Sequence, residues 1–237
     1  MSLYKIKREP YSLRVRSYGQ YCAIAKALDV IGDRWSLLIV RELLIRGGCR
    51  YTDLRAGLPG IATNLLTDRL RGLEQAGIIY REEAPPPVAT TLFRLTARGQ
   101  ELDTVLQQMG QWGSPLLAQA PKGDAFRPHW LVLSARRALR DHGPGQPPVA
   151  IELRAGEEPV TIEAEAGAIR ARVGAAEKPD AVLSGPPRII GAVIKGEIDL
   201  KQARKAGMQY SGDIGVLARV QPNAVKAADN KAVQGRN

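Results

Sequence analysis

Residues 61–73, IATNLLTDRLRGL, combine short hydroxyl and amide side chains with a forked guanidinium. In an α-helix, where successive residues lie about 100° apart, the polar ones share one side: Thr63, Asn64, Thr67, Asp68 and Arg71. Arg and Asn can each bond a base edge through two hydrogen bonds, and a Thr methyl can pack on thymine. The opposite side is apolar, with Ala62, Leu65, Leu66, Leu70 and Leu73. The pattern predicts a half-buried helix whose open face reads nucleic acid or, alternatively, is an ordinary solvated face.

The preceding segments favour the first alternative. Residues 21–31 have helical apolar spacing, and Asp33 is expected to cap a second helix that stops at Gly47-Gly48. Residues 51–58 predict a short third helix, and Pro59-Gly60 turns the chain directly into the polar-faced helix. Two short helices joined by a tight turn with Gly form a helix-turn-helix, whose second helix enters the major groove.

The following segments predict a wing and a further helix. Residues 78–81 and 88–95 have strand character and are separated by EEAPPP, so they predict a β-hairpin. Residues 98–112 then carry an apolar helical stripe that needs a partner.

Composition sets limits on the class of protein. The 237 residues are enough for two domains, and the formal net charge is +10. Residues 1–81 hold 14 Lys/Arg against 7 Asp/Glu, a net of +7, so a polyanion is expected to bind the N-terminal half. No run of eighteen apolar residues predicts a membrane span, and MSLYKIKREP has no signal-peptide core. Two cysteines predict neither a disulfide framework nor a metal site, so we expect a cytoplasmic protein without cofactor or metal.

Several motifs occur together in one order: YCAIAKALDVIGDRWSLLIVREL, RYTDL, PGIATNLLTDRLRGLEQAGI and FRLTARG, followed by a helix ending in Trp112. Over residues 20–113 this set resembles the HxlR type of winged-helix bacterial transcription regulators. The resemblance implies homodimers formed by the first helix and the helix at 98–112, bound to paired half-sites in double-stranded DNA. The chain departs from the pattern at Ala62, where many members have Ser, so the helix cap must come from the backbone or from Thr63.

Within the polar face, Asn64, Thr67 and Arg71 are the main expected base contacts, with Thr63 and Asp68 beside them. Asp68 would repel phosphate, so we expect it to orient Arg71.

Five further residues suit contacts to phosphate, which position a protein without reading sequence. They are Arg50, Thr52, Arg55, Arg81 and Arg94. For each single arginine the alternative is a solvated charge. Glu82 and Glu83 predict little contact at the wing tip, and the basic segment 1–19 is either an arm on DNA or a strand on the partner subunit.

Cys22 lies thirteen residues before Trp35, in the place of the cysteine that some family members use to sense oxidants. A sensing thiol needs solvent access and a lowered pKa, for which Lys26 and the start of the first helix are candidate sources. The alternative is an inert, buried thiol.

After a linker at 114–125, the second half predicts another domain. A helix at 128–143, strands in VAIELRAGEEPVTIEAEAGAIRARVG and PDAVLSG, and further helical pieces predict an α+β domain at 126–222 with a meander sheet. Its order of elements is similar to the sterol carrier protein domain, which implies an apolar tunnel for lipids; residues 223–237 predict a flexible tail. The expected lining is Trp130, Leu131, Leu133, Ile189, Ile190, Val193, Ile194 and Met208, unless these fill an ordinary core.

Catalysis finds no support, because His129 and His142 accompany no nucleophile motif. The leading hypothesis is a dimeric DNA-binding regulator that is not an enzyme and does not enter membranes. Its second domain would bind an apolar effector or add dimer contacts. The alternatives are a protein that carries lipid or another apolar small molecule, and a regulator that senses oxidants through Cys22.

Overall fold

The computed structural model describes residues 17–85, 90–121 and 123–222. Most of the predicted basic arm and the whole predicted tail at 223–237 lie outside these ranges. Contacts divide the chain into two units, with the division between Leu106 and Gln107. The domain boundary expected at residue 113 stays a prediction.

The first unit begins with four helices around an apolar core. They are α1 (Ala23–Ile31), α2 (Ser36–Arg46), α3 (Tyr51–Gly57) and α4 (Thr63–Gln75). Amphipathic spacing places one side of each of the last three helices in the core, which includes Ile39, Leu43, Leu54, Leu66, Leu70 and Leu73. The turn from α3 to α4 closes through Leu58, whose carbonyl accepts from the amide of Ile61 at 3.2 Å. This packing fixes α4 with its polar side outward.

The start of α2 differs from the expectation. Asp33 does not cap the helix with its side chain; the residue before Ser36 is Trp35, whose φ of 84° lies in the left-handed region. The Asp33 carbonyl instead accepts from the Ser36 amide at 3.1 Å. The helix begins at Ser36, so its cap position lies two residues past the expected one, and the Asp33 carboxylate forms an ion pair with Arg69 on α4.

A two-stranded antiparallel wing follows, with β1 (Ile79–Glu83) paired to β2 (Thr91–Leu95). The helix expected at 98–112 is two segments, α5 (Ala97–Gln100) and α6 (Leu102–Gly113). The first is capped by Thr96, whose hydroxyl accepts from Gly99 at 3.1 Å. Gly99 also packs so closely on the Ile78 carbonyl that a Cβ there would lie 2.2 Å from the oxygen. The first segment is thus held against the wing, and α6 begins as a separate helix.

The second unit is built around a five-stranded sheet. Its strands are β4 (Val149–Arg154), β5 (Val160–Glu165), β6 (Ala168–Val173), β7 (Ala181–Ser184) and β8 (Gln209–Gly212), in the order β6-β5-β4-β7-β8. β4 and β7 are parallel, so the sheet is mixed rather than the expected meander. Asp180 begins this pairing, since its carboxylate accepts from the Ala150 amide at 2.7 Å and its own amide donates to the Ala150 carbonyl at 2.8 Å.

Helices and a second strand pair complete this unit. The helices are α7 (Leu131–Ala138), α8 (Pro187–Lys195), α9 (Leu200–Lys205) and α10 (Ile214–Arg219), with 3-10 turns at Ser114–Gln119 and Pro128–Trp130. The helix expected to reach residue 143 ends at Ala138. The next residues form β3 (Leu139–Asp141), antiparallel to β9 (Val220–Pro222). Helix and sheet content is therefore mixed, as the α+β prediction requires.

A buried ion pair explains why the helix ends early. The Arg219 Nε donates to Asp141 Oδ1 at 2.7 Å and its Nη2 to Oδ2 at 3.0 Å, and both side chains are almost fully buried. The same carboxylate accepts the amides of Gly143 and Gly167. These contacts join segments far apart in sequence, so no local pattern predicts them. None of the described helices is long and apolar enough to cross a bilayer.

Candidate nucleic-acid interface

The face of α4 that points away from the core carries the predicted base contacts. Thr63, Asn64 and Arg71 are exposed, and Thr67 and Asp68 are partly buried. None of the five belongs to the core cluster. The structure therefore brings all five to one accessible surface.

Tyr51, which is not among the site residues expected from the sequence, supports this face from α3. Its hydroxyl donates to the Thr63 carbonyl at 2.9 Å and lies 3.4 Å from the Thr67 hydroxyl. The Thr67 hydroxyl itself donates to the Thr63 carbonyl at 3.0 Å, so the Thr67 methyl is left for an apolar contact. Tyr51 ties α3 to the first turn of α4. Tyr51 and Thr63 lie 12 positions apart on different helices, so the apolar periodicity of either helix does not predict this hydrogen bond.

Asp68 lies close to Arg71, one turn away on the same helix. Asp68 Oδ1 is 3.8 Å from Arg71 Nη1, and both side chains are about half exposed. Such a pair contributes only about 0–1 kcal/mol, so it orients the guanidinium without holding it. The start of α4 is less ordered by side chains, because Ala62 at the cap position makes no side-chain hydrogen bond. Neither Ala62 nor the Thr63 hydroxyl forms a side-chain cap at this end of the helix.

The three polar residues expected to meet phosphate from α3 lie at an accessible surface. Arg50, Thr52 and Arg55 are all exposed. The Arg50 amide donates to Asp53 Oδ2 at 2.9 Å, which caps α3. The guanidinium groups of Arg50 and Arg55 form no ion pair with other described residues. Both are free to bind an anion.

The two arginines of the wing base are held by the protein itself. Arg81 Nη2 lies 3.0 Å from Glu74 Oε2. Arg94 pairs with Glu82, and its Nη1 donates to the Gly47 carbonyl at 3.0 Å. These contacts tie the wing to α4 and to the end of α2. The tip, at 86–89, lies outside the described residues, so the expected lack of contact there stays a prediction.

A buried carboxylate fixes α2 against α3. Glu42 is fully buried and accepts two hydrogen bonds from Arg41, at 3.0 Å and 2.7 Å. Its Oε2 lies against Gly57 so closely that a Cβ there would be 2.2 Å away. Glycine is therefore required at the end of α3, because any side chain would displace the carboxylate.

The two cysteines differ in their surroundings. Cys22 is exposed at the start of α1, where the backbone amides of Ala25 and Ile24 lower the pKa of its thiol. Lys26, the expected cation, pairs instead with Asp29 at 3.5 Å. Cys49 is buried, and burial raises the pKa of its thiol to about 12. Of the two, Cys22 has the properties of a reactive thiol.

Apolar side chains of α1 and α6 remain uncovered in the single chain. Those on or beside α1 are Tyr21, Ile24 and Leu28, and those on α6 are Val105, Met109 and Trp112. No residue of α6 is buried. The stripes that predicted these helices therefore still lack a partner surface.

The second unit contains a cavity of about 520 Å³. It lies between the sheet, the β3 and β9 strands, the end of α8, and α9 and α10, and its apolar lining includes Leu139, Ile151, Leu153, Ile162, Leu183, Val193, Ile194, Leu217 and Val220. Only Val193 and Ile194 come from the lining expected from the sequence.

The other expected lining residues lie elsewhere. They are Trp130, Leu131, Leu133, Ile189, Ile190 and Met208. In this part of the unit α7 packs against α8 and the sheet, and the expectation that these six residues line a tunnel stays a prediction. Among the described residues, no group of three His, Cys, Asp or Glu is placed to hold a metal ion.

Comparison with known proteins bears on the N-terminal half of the chain, which includes the first unit. A family model described as HxlR-like helix-turn-helix matches residues 30–121. An uncharacterized HTH-type transcriptional regulator of Synechocystis, sll1512, is 42% identical over 101 residues, which cover 43% of this chain and 74% of that protein. The chain belongs to the HxlR-like helix-turn-helix family.

The chain is also similar to two regulators of Bacillus subtilis. YvaP of Bacillus subtilis is 33% identical over 89 residues, covering 38% of this chain and 82% of YvaP, and is likewise an HTH-type transcriptional regulator. The solved reduced form of the regulator YodB from B. subtilis is 28% identical, covers 43% of this chain and 100% of YodB, and aligns with a TM-score of 0.37. The relatives named here are transcriptional regulators.

Proposed function

We propose that this chain is a transcription regulator that binds operator DNA as a homodimer. The observation that carries the proposal is the accessible polar face of α4, on which Thr63, Asn64 and Arg71 are exposed while Leu66 and Leu70 anchor the helix. A helix of this kind fits the major groove, and these side chains match the donors and acceptors of base edges.

The position of the charges supports DNA more strongly than their sum. Residues 17–106 hold 11 Lys/Arg against 10 Asp/Glu, a net of only +1. Arg50 and Arg55 are nevertheless exposed on α3, next along the chain to α4. We assign phosphate contacts to these two arginines and to Thr52. Arg81 and Arg94 receive a supporting role at the wing base, because Arg81 pairs with Glu74 and Arg94 pairs with Glu82.

The uncovered apolar residues support a dimer. Ile24 on α1 and Trp112 on α6 are each more than two thirds exposed, which is costly for side chains of this size. A second copy that covers both helices would remove this cost. It would also present two α4 helices to paired half-sites, as helix-turn-helix dimers do.

Selection of bound fragments from the host genome tests this function. We expect enrichment of sites with two related halves, and an affinity that falls steeply as salt rises, because phosphate contacts release counterions. If no fragment is enriched, or binding does not change with salt, the proposal fails.

We also propose that the second unit is a sterol carrier protein-like domain that binds an apolar small molecule and tunes DNA binding. The cavity of about 520 Å³ supports this, because small-molecule sites usually occupy about 300–1,000 Å³.

Val193→Phe would narrow the cavity, whereas Val173→Phe, on a strand away from it, is the matched control. We expect binding of an apolar fluorescent dye to be lost only in the first variant. Equal binding by both would exclude the cavity as the site. A lipid carrier without a role at DNA would bind the dye but would enrich no DNA fragment in the genomic selection.

Control by oxidation is a second candidate function, favoured by the exposed Cys22 thiol and its lowered pKa. Under this proposal an oxidant releases the wild type from DNA but does not release Cys22→Ser. Release of both proteins alike would exclude Cys22 as the sensor.

A further inference from the structure

One ion pair connects the loop between α1 and α2 to α4, the helix proposed to enter the major groove. Asp33, in that loop, pairs with Arg69 in the middle of α4, 36 residues further along the chain. The Arg69 side chain is 29% exposed and that of Asp33 is 61% exposed, and Arg69 Nε is buried without a hydrogen bond to any described residue. Among the described residues, Asp33 is thus the contact that fixes the guanidinium on this side of α4.

The loop that carries Asp33 is stiff. A φ of 84° at Trp35 is unfavourable for a bulky residue and persists only where surrounding contacts require it. Here the Trp35 carbonyl accepts from Ile39 at 2.8 Å, the Asp33 carbonyl accepts from Ser36 at 3.1 Å, and the Arg34 guanidinium lies 5.8 Å from the Trp35 ring centroid. The ring also packs on the core. Asp33 is therefore held at a fixed point.

This fixed point lies between two functional elements. On one side is α1, whose Ile24 and Leu28 are uncovered and are assigned above to the partner subunit. On the other side is α4, which also contacts α1 directly. We infer that the Asp33–Arg69 pair is a latch that sets the tilt of α4 on α1, and through it the half-site spacing that the dimer accepts. The inference rests on the proposed function, a dimer on DNA.

A small tilt is enough to change the spacing. The thirteen residues of α4 span about 20 Å at a rise of about 1.5 Å each. A rotation of about 10° about one end moves the other end by about 3.4 Å, which is the rise of one base pair. A pair that only stabilised the fold would lower affinity for all spacings alike.

The test compares spacing preference among variants of the full chain. Asp33→Asn keeps the shape of the side chain but removes its charge, and Arg69→Met keeps much of the stem. The matched control is Glu163→Gln, which removes a partly exposed ion pair with Arg172 between β5 and β6, away from the proposed DNA contacts. Each protein selects from duplexes that hold two copies of the wild-type half-site separated by spacers of every length.

We expect the wild type and Glu163→Gln to share one sharp optimum, and both latch variants to shift it by about one base pair or to broaden it. The double variant with the charges exchanged, Asp33→Arg with Arg69→Asp, should restore a sharp optimum. If the latch variants keep the wild-type optimum and lose affinity equally at all spacings, the inference is overturned.

A measurement without DNA separates this inference from the proposed function. A spin label on Cys22 at the start of α1 and another at Gln75→Cys at the end of α4 report the distance between the helices, because both positions are exposed while Cys49 is buried. Dilution with unlabelled protein isolates the distance within one chain. We expect Asp33→Asn to shift or broaden this distance. An unchanged distribution overturns the latch even if DNA is bound, and a changed distribution supports it even if no operator is found.

Discussion

Replacing Arg71 by Ala removes the most exposed charged group of the polar face of α4. In the free protein its guanidinium is 3.8 Å from Asp68, and both side chains are about half exposed. An exposed pair of this kind is worth about 0–1 kcal/mol, whereas a bidentate contact to guanine is worth about 1–3 kcal/mol of discrimination. Arg71 therefore gains by leaving Asp68 for a base edge.

The expected loss follows from this comparison. Arg71→Ala should weaken binding to the selected operator by roughly 5- to 150-fold for each half-site, with little change on a scrambled duplex. Arg55→Ala is the matched control, since it removes another exposed arginine, on α3. It should weaken both duplexes alike and reduce the salt dependence by about one phosphate contact for each subunit.

Fluorescence anisotropy on the two duplexes, at several salt concentrations, distinguishes these outcomes. Circular dichroism confirms that each variant is folded. If Arg71→Ala loses the same affinity on both duplexes and Arg55→Ala loses it only on the operator, the assignment of reading to α4 and of positioning to α3 is wrong.

Three further predictions concern stability and reactivity. Gly57→Ala should lower the free energy of unfolding by about 2 kcal/mol or more, because its Cβ would lie 2.2 Å from a buried carboxylate oxygen. Gly72→Ala, whose Cβ would meet open space on α4, should raise the free energy of unfolding by about 0.5–1 kcal/mol. Urea unfolding measures both changes. The hydrogen bonds from Arg219 hold the pKa of Asp141 below its ordinary range. The ionised Asp141 carboxylate therefore stabilises the fold above about pH 4, and this stabilisation is lost as the pH falls further. The urea midpoint of Asp141→Asn should lack the fall with pH that this carboxylate causes in the wild type. Iodoacetamide at pH 8 should alkylate Cys22 well before Cys49, and mass spectrometry that finds the reverse order would contradict the environments described for the two thiols.

The outward face of α4 could be predicted from the sequence because its signal is local. Leu66, Leu70 and Leu73 recur at helical spacing, and the turn at Pro59-Gly60 marks where the helix begins. The hairpin of the wing is local in the same sense. Periodicity shows which side of an element is buried, and for these elements that is sufficient to show which side is open.

The same signal does not show which residues meet across the fold. Asp33 has the residue type of a helix cap, but α2 begins two residues later than expected and the Asp33 carboxylate pairs with Arg69. Leu139 continues the apolar spacing of α7, but the Asp141–Arg219 pair draws the next residues into a strand beside β9. In each case a charged group from a distant segment overrides the local preference, and nothing in either segment alone indicates its partner.

The cavity shows a different limit of sequence reasoning. Apolar spacing correctly indicates that Leu131 and Ile190 are inside the second unit, where each is almost fully buried. A buried side chain lines a cavity only if the facing side chains fail to fill the space, and neither Leu131 nor Ile190 lines the cavity of about 520 Å³. The space is left instead beneath β3 and β9, where short strands with few large side chains close over the sheet. A ligand that enters there would touch Leu139 and Val220 directly, so the strand pair held by Asp141 and Arg219 is the part of the second unit most exposed to its effect.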